Sequence, residues 1–161
     1  MLRQQKSHMM NTFALVSTIM TPHTQLVTVN PEDSLAKVKE IFDTHKFHHI
    51  PVVHFREIVG LVSKTDFMFF LGGASLYEED RFDNQSRLGR AQVKDIMTTG
   101  LGKLEPDDRI NVALEVFCKN WFHALPVVKD GDLVGIVTPF DIMKFMLDEK
   151  PKEPHMVYET E

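Results

Sequence analysis

The chain carries the sequence PVV at residues 51–53 and VGLVSKTD at 59–66, and it repeats this pair as PVV at 126–128 and VGIVTPFD at 134–141. When the windows 48–71 and 123–146 are aligned at an interval of 75 residues, ten of their 24 positions are identical. A repeat of this period indicates that one structural unit is used twice. The sequence therefore predicts two similar halves.

Each half shows the same order of local patterns. It opens with a short apolar turn that ends in Ile-Met-Thr, at 16–21 and 93–98, and an extended stretch follows, clearest at 25–29. Acidic residues after Pro31 and Pro106 are typical of a helix start, because acids and short side chains cap the first free amides. The next apolar residues have the spacing of one buried helical stripe: Leu35, Val38, Ile41 and Phe42, then Ile110, Ala113, Leu114 and Phe117.

Two short runs rich in β-branched residues follow each helix and predict buried strands. The connection between the strands differs in the two halves. Asp130-Gly131 favours a tight two-residue turn, whereas residues 54–57 contain no glycine, so we expect the first hairpin to be looser or differently turned. The predicted strands are 50–53, 58–62, 125–128 and 133–137.

The repeat also divides the chain into segments. Gly72-Gly73 and the charged stretch after it fit either a flexible connector or a short surface helix. The predicted segments are an N-terminal extension (1–14), a first domain (15–71), a linker or insert (72–92), a second domain (93–147) and a C-terminal tail (148–161).

Composition limits the class of protein. Of 161 residues, 43% are hydrophobic, which is enough for a core. The net charge of −5 provides no broad cationic field, so we expect neither nucleic acid nor an anionic membrane as a partner. No apolar run reaches the ~18 residues of a membrane span, and the polar start lacks a secretory apolar core, so the expected location is the cytoplasm.

The sequence does not predict an enzyme. It contains no Gly-x-Ser-x-Gly, no phosphate-binding Gly-x-x-x-x-Gly-Lys and no His-Glu-x-x-His. The single cysteine, Cys118, ends an apolar helical run, so we expect a small core residue in a reducing compartment rather than a reactive thiol.

With both motifs in register, the chain resembles a tandem pair of cystathionine β-synthase (CBS) domains, a Bateman module, over residues 15–147. The resemblance rests on the two Ile-Met-Thr turns, the two PVV strands and the endings at 60–66 and 135–141. It implies an α+β fold of two pseudo-symmetric βαββα units, packed sheet to sheet with two clefts between them. In this family the clefts commonly take adenosine-containing ligands, and modules often pair into flat dimers.

A hydroxyl residue precedes an acid by three positions in both copies, as Ser63 and Asp66 and as Thr138 and Asp141. This spacing is a variant of the helix capping box, so one interpretation is that both pairs only cap the last helix of each half. The other is that the helix start binds phosphate while the carboxylate binds ribose hydroxyls. The resemblance implies ribose contacts for Asp66 and Asp141, and ribose or phosphate contacts for Ser63 and Thr138.

The resemblance also implies a wall for the base, formed before and within each PVV strand and in the first extended segment. Simple core packing is an equal alternative for Phe47 and Phe122. Because Ala124 stands where the first half has His49, the two clefts are not expected to be equivalent. The implied wall residues are Thr21, Thr28, Phe47, His49, Ile50 and Pro51, and Thr98, Phe122, Ala124, Leu125 and Pro126.

Histidines crowd into residues 45–54. We expect no metal site, because the adjacent pair His48 and His49 precedes a strand and would point to opposite faces, and no cysteine or carboxylate group accompanies it. Phosphate contacts by His48, Lys64 or His123 are one alternative, and plain solvated or core-edge histidines are the other.

The expected function is therefore that of a stand-alone regulatory CBS pair without an obligatory cofactor. It would bind AMP, ADP, ATP or S-adenosylmethionine and signal occupancy to an effector protein or to its own dimer. The stripe of Phe67, Phe69, Phe70 and Leu71 exceeds what a short helix buries internally, which predicts a homodimer interface. The alternative function is a ligand-free structural or protein-interaction module.

Overall fold

The structure, a computed structural model, describes residues 13–72, 86–120 and 122–148. The expected N-terminal extension up to residue 12, residues 73–85 of the expected linker, and the tail from 149 lie outside the described residues. Residues 86–90 are helical. The elements are β1 (Thr21–Pro22), α1 (Leu35–Thr44), β2 (His49–His54), β3 (Glu57–Ser63), α2 (Lys64–Phe70), α3 (Ile110–Asn120), β4 (Leu125–Lys129), β5 (Asp132–Val137) and α4 (Pro139–Asp148), with 3-10 turns at Val16–Thr18, His23–Gln25 and Val93–Asp95.

Each half contains an antiparallel hairpin, β2–β3 or β4–β5. The two hairpins join through a bridge between Glu57 and Asp132, and β1 of the first half pairs with β5 of the second. Val29 and Leu104 each form a parallel bridge to the PVV strand of their own half, which completes the βαββα order. The α+β fold is confirmed, and the predicted strands are extended by no more than one residue at each end.

The two hairpins turn differently but have the same length. Residues Asp130 and Gly131 both adopt a positive φ, 52° and 90°, as the predicted tight turn requires. In the first hairpin, Phe55 has a φ of 57° and is 89% exposed. The prediction of a different turn is confirmed and that of a looser turn is wrong, because Phe55 adopts the left-handed conformation that glycine would otherwise supply.

The predicted helical stripes form two cores. All four predicted residues of α1 are buried, while in α3 Ile110 and Ala113 are buried and Leu114 and Phe117 are half-buried. Cys118 is exposed, so its prediction as a core residue is wrong. It follows Phe117 by one residue, which is a rotation of about 100° around a helix and carries it off the buried stripe.

The opening turns of the two halves are exchanged. Val16 belongs to the core of the second half, and Val93 belongs to the core of the first. Backbone hydrogen bonds follow the same exchange, since the Ile110 amide donates to the Ala14 carbonyl (3.0 Å) and the Leu35 amide donates to the Ala91 carbonyl (3.0 Å). Each half is therefore completed by the segment that leads into the other.

This exchange changes the role of the acids before the helices. The Asp33 carboxylate accepts a hydrogen bond from the Asn30 amide (2.8 Å), and the Asp108 carboxylate accepts one from the Glu105 amide (2.7 Å). These acids close the turns ahead of α1 and α3 and do not cap the helices, contrary to the sequence prediction. The exchanged backbone satisfies the first amide of each helix instead.

The repeated glycines leave space for the exchanged methionines. A Cβ atom on Gly60 would lie 2.7 Å from the Met97 sulfur. One on Gly135 would lie 2.6 Å from the Met20 sulfur and 2.8 Å from the Thr21 carbonyl oxygen. The Val-Gly pair of each repeat therefore packs against the Ile-Met-Thr turn of the other half.

Candidate functional site

A cleft of about 530 Å³ lies between the two halves. Its volume falls within the ~300–1,000 Å³ of small-molecule sites. The first half contributes the Ser63 and Asp66 pair, and the second half contributes residues that the sequence predicted for a base wall. The lining residues are His48, His49, Leu61, Ser63, Lys64, Thr65 and Asp66 on one side and Thr98, Leu101, Gly102, Phe122, His123 and Ala124 on the other.

The Ser63 and Asp66 pair stands at the start of α2. The Asp66 amide donates to the Ser63 hydroxyl oxygen (3.0 Å), and this hydroxyl donates to Asp66 Oδ2 (2.5 Å). Both side chains are half-buried. The pair therefore caps the helix and at the same time presents a hydroxyl and a carboxylate to the cleft.

The opposite wall is apolar and has a glycine in it. A Cβ atom on Gly102 would lie 3.1 Å from the Phe122 ring and 3.2 Å from Leu125 Cδ2. The missing side chain thus allows the half-buried Phe122 ring to lie close to the backbone of residue 102. Beside it, Ala124 is buried in a small apolar cluster between the halves. Together these residues offer a flat apolar surface.

The polar part of the cleft carries more nitrogen bases than acids. His48, Lys64 and His123 are exposed and His49 is half-buried, while Asp66 is the one acid among the described residues lining this cleft. Burial lowers the pKa of His49, and His123 and His48 lower it further, although Asp66 opposes this shift. His49 is therefore neutral near pH 7.

The adjacent histidines share the cleft only in part. Both His48 and His49 line it, and His48 also lines the surface cavity beside Phe47 and Lys64, which His49 does not reach. Within the described ranges, no group of three or more His, Cys, Asp or Glu residues is arranged to hold a metal ion.

The second hydroxyl and acid pair has a different setting. The Thr138 amide and hydroxyl donate to Asp141 Oδ2 at 2.9 and 2.7 Å. Asp141 lines a smaller cavity of about 360 Å³ together with the first opening turn, Gln25, and Lys144, Phe145 and Asp148 of α4. Thr21 lies in this smaller cavity as well.

The Phe47 ring lines neither the cleft of Asp66 nor the smaller cavity of Asp141. Its ring stacks on His45 with a centroid distance of 4.7 Å and an interplanar angle of 15°. It lines a surface cavity formed with residues 42–48 and Lys64. The structure thus brings Asp66 together with Phe122, whereas Asp141 and Phe47 line separate cavities.

The remaining predicted wall residues divide between cleft and core. Thr98, His49 and Ala124 line the large cleft. The Ile50 and Leu125 side chains are fully buried in the two cores, and Pro51 and Pro126 are buried within their strands, so these four side chains do not line the cleft. Thr28 is half-buried in the extended segment before β2 and also lies outside the cleft lining.

Sequence reasoning missed Leu61, Thr65, Leu101 and Gly102 as lining residues. A signal for Gly102 was present. The segment between the Ile-Met-Thr turn and the parallel bridge has seven residues in the first half, 22–28, and five in the second, 99–103. This difference of two residues lies beside the cleft and marks the point where the halves diverge.

Comparisons with known proteins agree with this arrangement. The sequence pattern of the CBS domain matches residues 16–73 and 93–148. The chain belongs to the CBS domain family. The resemblance inferred from the repeat is confirmed. A separate finding is that, within the described ranges, no helix is long and apolar enough to cross a membrane.

Relatives of this CBS pair include both proteins and solved structures. Protein MJ1225 of Methanocaldococcus jannaschii is 27% identical over 131 residues, which are 78% of this chain and 47% of that protein. The inosine-5'-monophosphate dehydrogenase of Korarchaeum cryptofilum is 30% identical over 118 residues, 73% of this chain and 21% of the enzyme. The chain thus spans less than half the length of these relatives.

A solved CBS pair is similar over nearly its whole length. The crystal structure of CBSX2 in complex with AMP superposes with a TM-score of 0.69 and 26% identity, covering 83% of this chain and 96% of that one. CBSX2 is a CBS-pair protein from Arabidopsis thaliana.

Proposed function

We propose that this protein is a regulatory CBS pair that binds an adenosine-containing ligand of the AMP, ADP and ATP class between its halves. Occupancy is signalled to an effector protein or to a second copy of the chain. One observation carries the proposal: the cleft of about 530 Å³ sets Ser63 and Asp66 of one half opposite Thr98, Phe122 and Ala124 of the other.

The chemistry of the cleft suits the three parts of a nucleotide. Phe122, against the bare backbone of Gly102, provides an apolar plane for a base. The Asp66 carboxylate can accept hydrogen bonds from both hydroxyls of a ribose. Lys64 and the exposed His48 and His123 can pair with phosphate. The AMP complex of CBSX2 supports the same ligand class.

Regulation follows from a ligand that touches both halves. The Thr98 amide donates a hydrogen bond to the Leu61 carbonyl (2.8 Å), and the Leu61 amide donates one to the Thr98 carbonyl (3.0 Å). These bonds connect the cleft wall to the exchanged turn that ends at Thr98. A ligand changes the arrangement of the halves only through its differential affinity for two arrangements. Ligand occupancy and partner binding are therefore linked free energies.

We propose that a second copy of the chain covers the exposed apolar side of the last helices. Of the predicted stripe, Phe67 is buried, Phe70 and Leu71 are half-buried, and Phe69 remains 84% exposed. Met68 of α2 and Met143 of α4 occupy equivalent repeat positions and are both exposed, so each half offers a similar patch to a twofold partner.

Sedimentation velocity tests this interface. The wild type should sediment as a dimer, and Met143→Glu should shift it to monomer because it places an unpaired charge in an apolar contact. Lys94→Glu, at an exposed site on the Val93–Asp95 turn, is the control. A monomeric wild type at tens of micromolar rejects the dimer.

Calorimetry tests the ligand proposal. AMP, ADP, ATP and S-adenosylmethionine are titrated into wild type, Asp66→Ala and Asp43→Ala. Asp43 is an exposed acid paired with Lys39 on α1, so its loss changes the net charge equally without touching the cleft. We expect binding to wild type and Asp43→Ala and its loss in Asp66→Ala. Absence of binding to wild type at millimolar ligand rejects the proposal for these ligands.

The alternative function is a ligand-free interaction module, and one observation favours it. Both hydroxyl and acid pairs already form hydrogen bonds at the start of their own helices, since the Asp66 amide donates to the Ser63 hydroxyl and the Thr138 amide donates to the Asp141 carboxylate. Under this alternative the cleft binds none of the four compounds, while a partner protein still recognises the exposed helix surfaces.

A further inference from the structure

We infer that the chain binds one adenosine-containing ligand, in the cleft of Ser63 and Asp66, and that Thr138 and Asp141 serve only as a helix cap. This inference rests on the proposed function, because it concerns how many of the two repeat-related positions accept that ligand. It is carried by three differences between the halves.

The first difference is a glycine in one wall and a valine in the other. Leu26 and Leu101 pack against the same small cluster between the halves, so they are equivalent residues. This alignment places Val27 where the second half has Gly102. Val27 packs its branched side chain against the core of the first half, whereas Gly102 has no side chain and lets the Phe122 ring lie against its backbone.

The second difference is the position of the equivalent aromatic rings. Phe122 lies beside Gly102 and lines the large cleft. Phe47, the equivalent of Phe122 in the first half, stacks on His45 and lines a surface cavity instead. Among the described residues, the first half therefore adds no aromatic ring to the Asp141 cavity, which Phe145 of α4 lines, whereas Phe122 of the second half lines the cleft of Asp66.

The third difference is the added turn His23–Gln25 in the longer first-half segment. Gln25 lines the smaller cavity with Asp141. His49 stands where the second half has the small Ala124, and both residues line the cleft of Asp66. The added turn alone thus places extra bulk on the Asp141 side.

The cap geometry agrees with separate roles. Asp141 Oδ2 accepts two hydrogen bonds from Thr138, from its amide and its hydroxyl. In the first half the bond to the helix amide is made by the Ser63 hydroxyl, and Asp66 Oδ2 accepts only from that hydroxyl. The Asp66 carboxylate thus accepts fewer hydrogen bonds from its own helix start than the Asp141 carboxylate does. It is therefore the better acceptor for hydrogen bonds from a ligand.

Calorimetric titration of AMP into the full chain tests the inference, with folding of each variant checked by thermal melting. Wild type should bind one AMP per chain. Asp66→Ala should weaken binding about 100-fold, because two charge-assisted hydrogen bonds are lost. Asp141→Ala should keep one AMP per chain and an affinity within about threefold, since its expected loss is confined to helix stability.

Two further variants test the wall itself. Gly102→Val copies the first-half residue and should weaken AMP binding at least about tenfold, since its side chain presses on Phe122. Gly102→Ala is the smaller change if the valine variant fails to fold. Two AMP per chain, or a loss of binding in Asp141→Ala, overturns the inference. Absence of binding of AMP, ADP, ATP and S-adenosylmethionine to wild type overturns the proposed function itself, which is a different result.

Discussion

The first half supplies the hydroxyl and carboxylate of the large cleft, and the second half supplies its apolar wall. The two halves share ten of 24 aligned positions, and these include Gly60 and Gly135, which pack against the exchanged methionines. Among the positions that differ, His49, Gly102 and Ala124 line the cleft, whereas Val27 packs against the first core. Shared glycines therefore pack against the exchanged opening turns in both halves, and we propose that the residues that differ at the cleft decide where a ligand fits.

The largest expected effect concerns the shared glycines, which are not equally constrained. Gly135→Ala should destabilise the protein by about 3 kcal/mol, because its Cβ meets both a sulfur and the rigid Thr21 carbonyl. Gly60→Ala should cost about 1 kcal/mol, because its close contacts are all with the flexible Met97 side chain. Urea denaturation measures both. Equal losses would show that the exchanged turns pack alike in the two halves.

The aromatic pair gives the next largest effect. Phe122→Ala should weaken AMP binding by about 10- to 100-fold, because an aromatic ring stacked on a base contributes about 1–3 kcal/mol. Phe47→Ala is the matched control, since the equivalent ring is also half-buried but lies outside the cleft. Calorimetry with AMP should show an unchanged affinity for Phe47→Ala. A similar loss in both variants would mean that the rings act through stability.

Most of the fold could be predicted from the sequence, because the signals that define it are local or repeated. The strands, the stripe of α1 and the tight turn at Asp130-Gly131 each follow from spacing or residue type within a few positions. The exchange of opening turns could not be predicted this way. It pairs Ile110 with Ala14 and Leu35 with Ala91, residues far apart in sequence whose local patterns are alike in both halves.

The candidate site was only partly predictable for the same reason. The acid and hydroxyl residues stand in a recognisable spacing, and Ala124 was distinguished from His49 by its size. Which half's wall faces which aspartate depends on the packing between halves, and spacing within one copy carries no information about it. Cys118 was misplaced because one residue of helical rotation separates the edge of a buried stripe from solvent.

The lowered pKa of His49 predicts a pH dependence that the Ala124 half does not share. Because the pKa is lower in the folded protein than the ~6.5 of an unfolded chain, the unfolded state takes up the proton first on acidification. The stability is therefore intact above pH 6.5 and falls below it. Melting temperatures of wild type should drop more between pH 7 and 5 than those of His49→Asn.

Other charged side chains line the same cleft, and the comparison between wild type and His49→Asn holds them constant. His48, His123, Lys64 and Asp66 face His49 and are present in both proteins. Wild type and His49→Asn differ only in the His49 imidazole, with its burial and its interactions with His123, His48 and Asp66. Parallel melting curves across this pH range would show that His49 is solvated well enough to protonate in the folded state.

The smallest expected effect is at the hairpin turns, where the halves differ without touching the cleft. Phe55→Asn should stabilise the protein by about 0.5 kcal/mol, because asparagine tolerates a positive φ better than phenylalanine does. Little packing is lost, since the Phe55 side chain is 89% exposed. Phe55→Ala is the control, because it removes the ring and keeps an ordinary L residue at a φ of 57°. If urea denaturation shows the same gain for both variants, the benefit comes from removing an exposed ring and not from the backbone conformation.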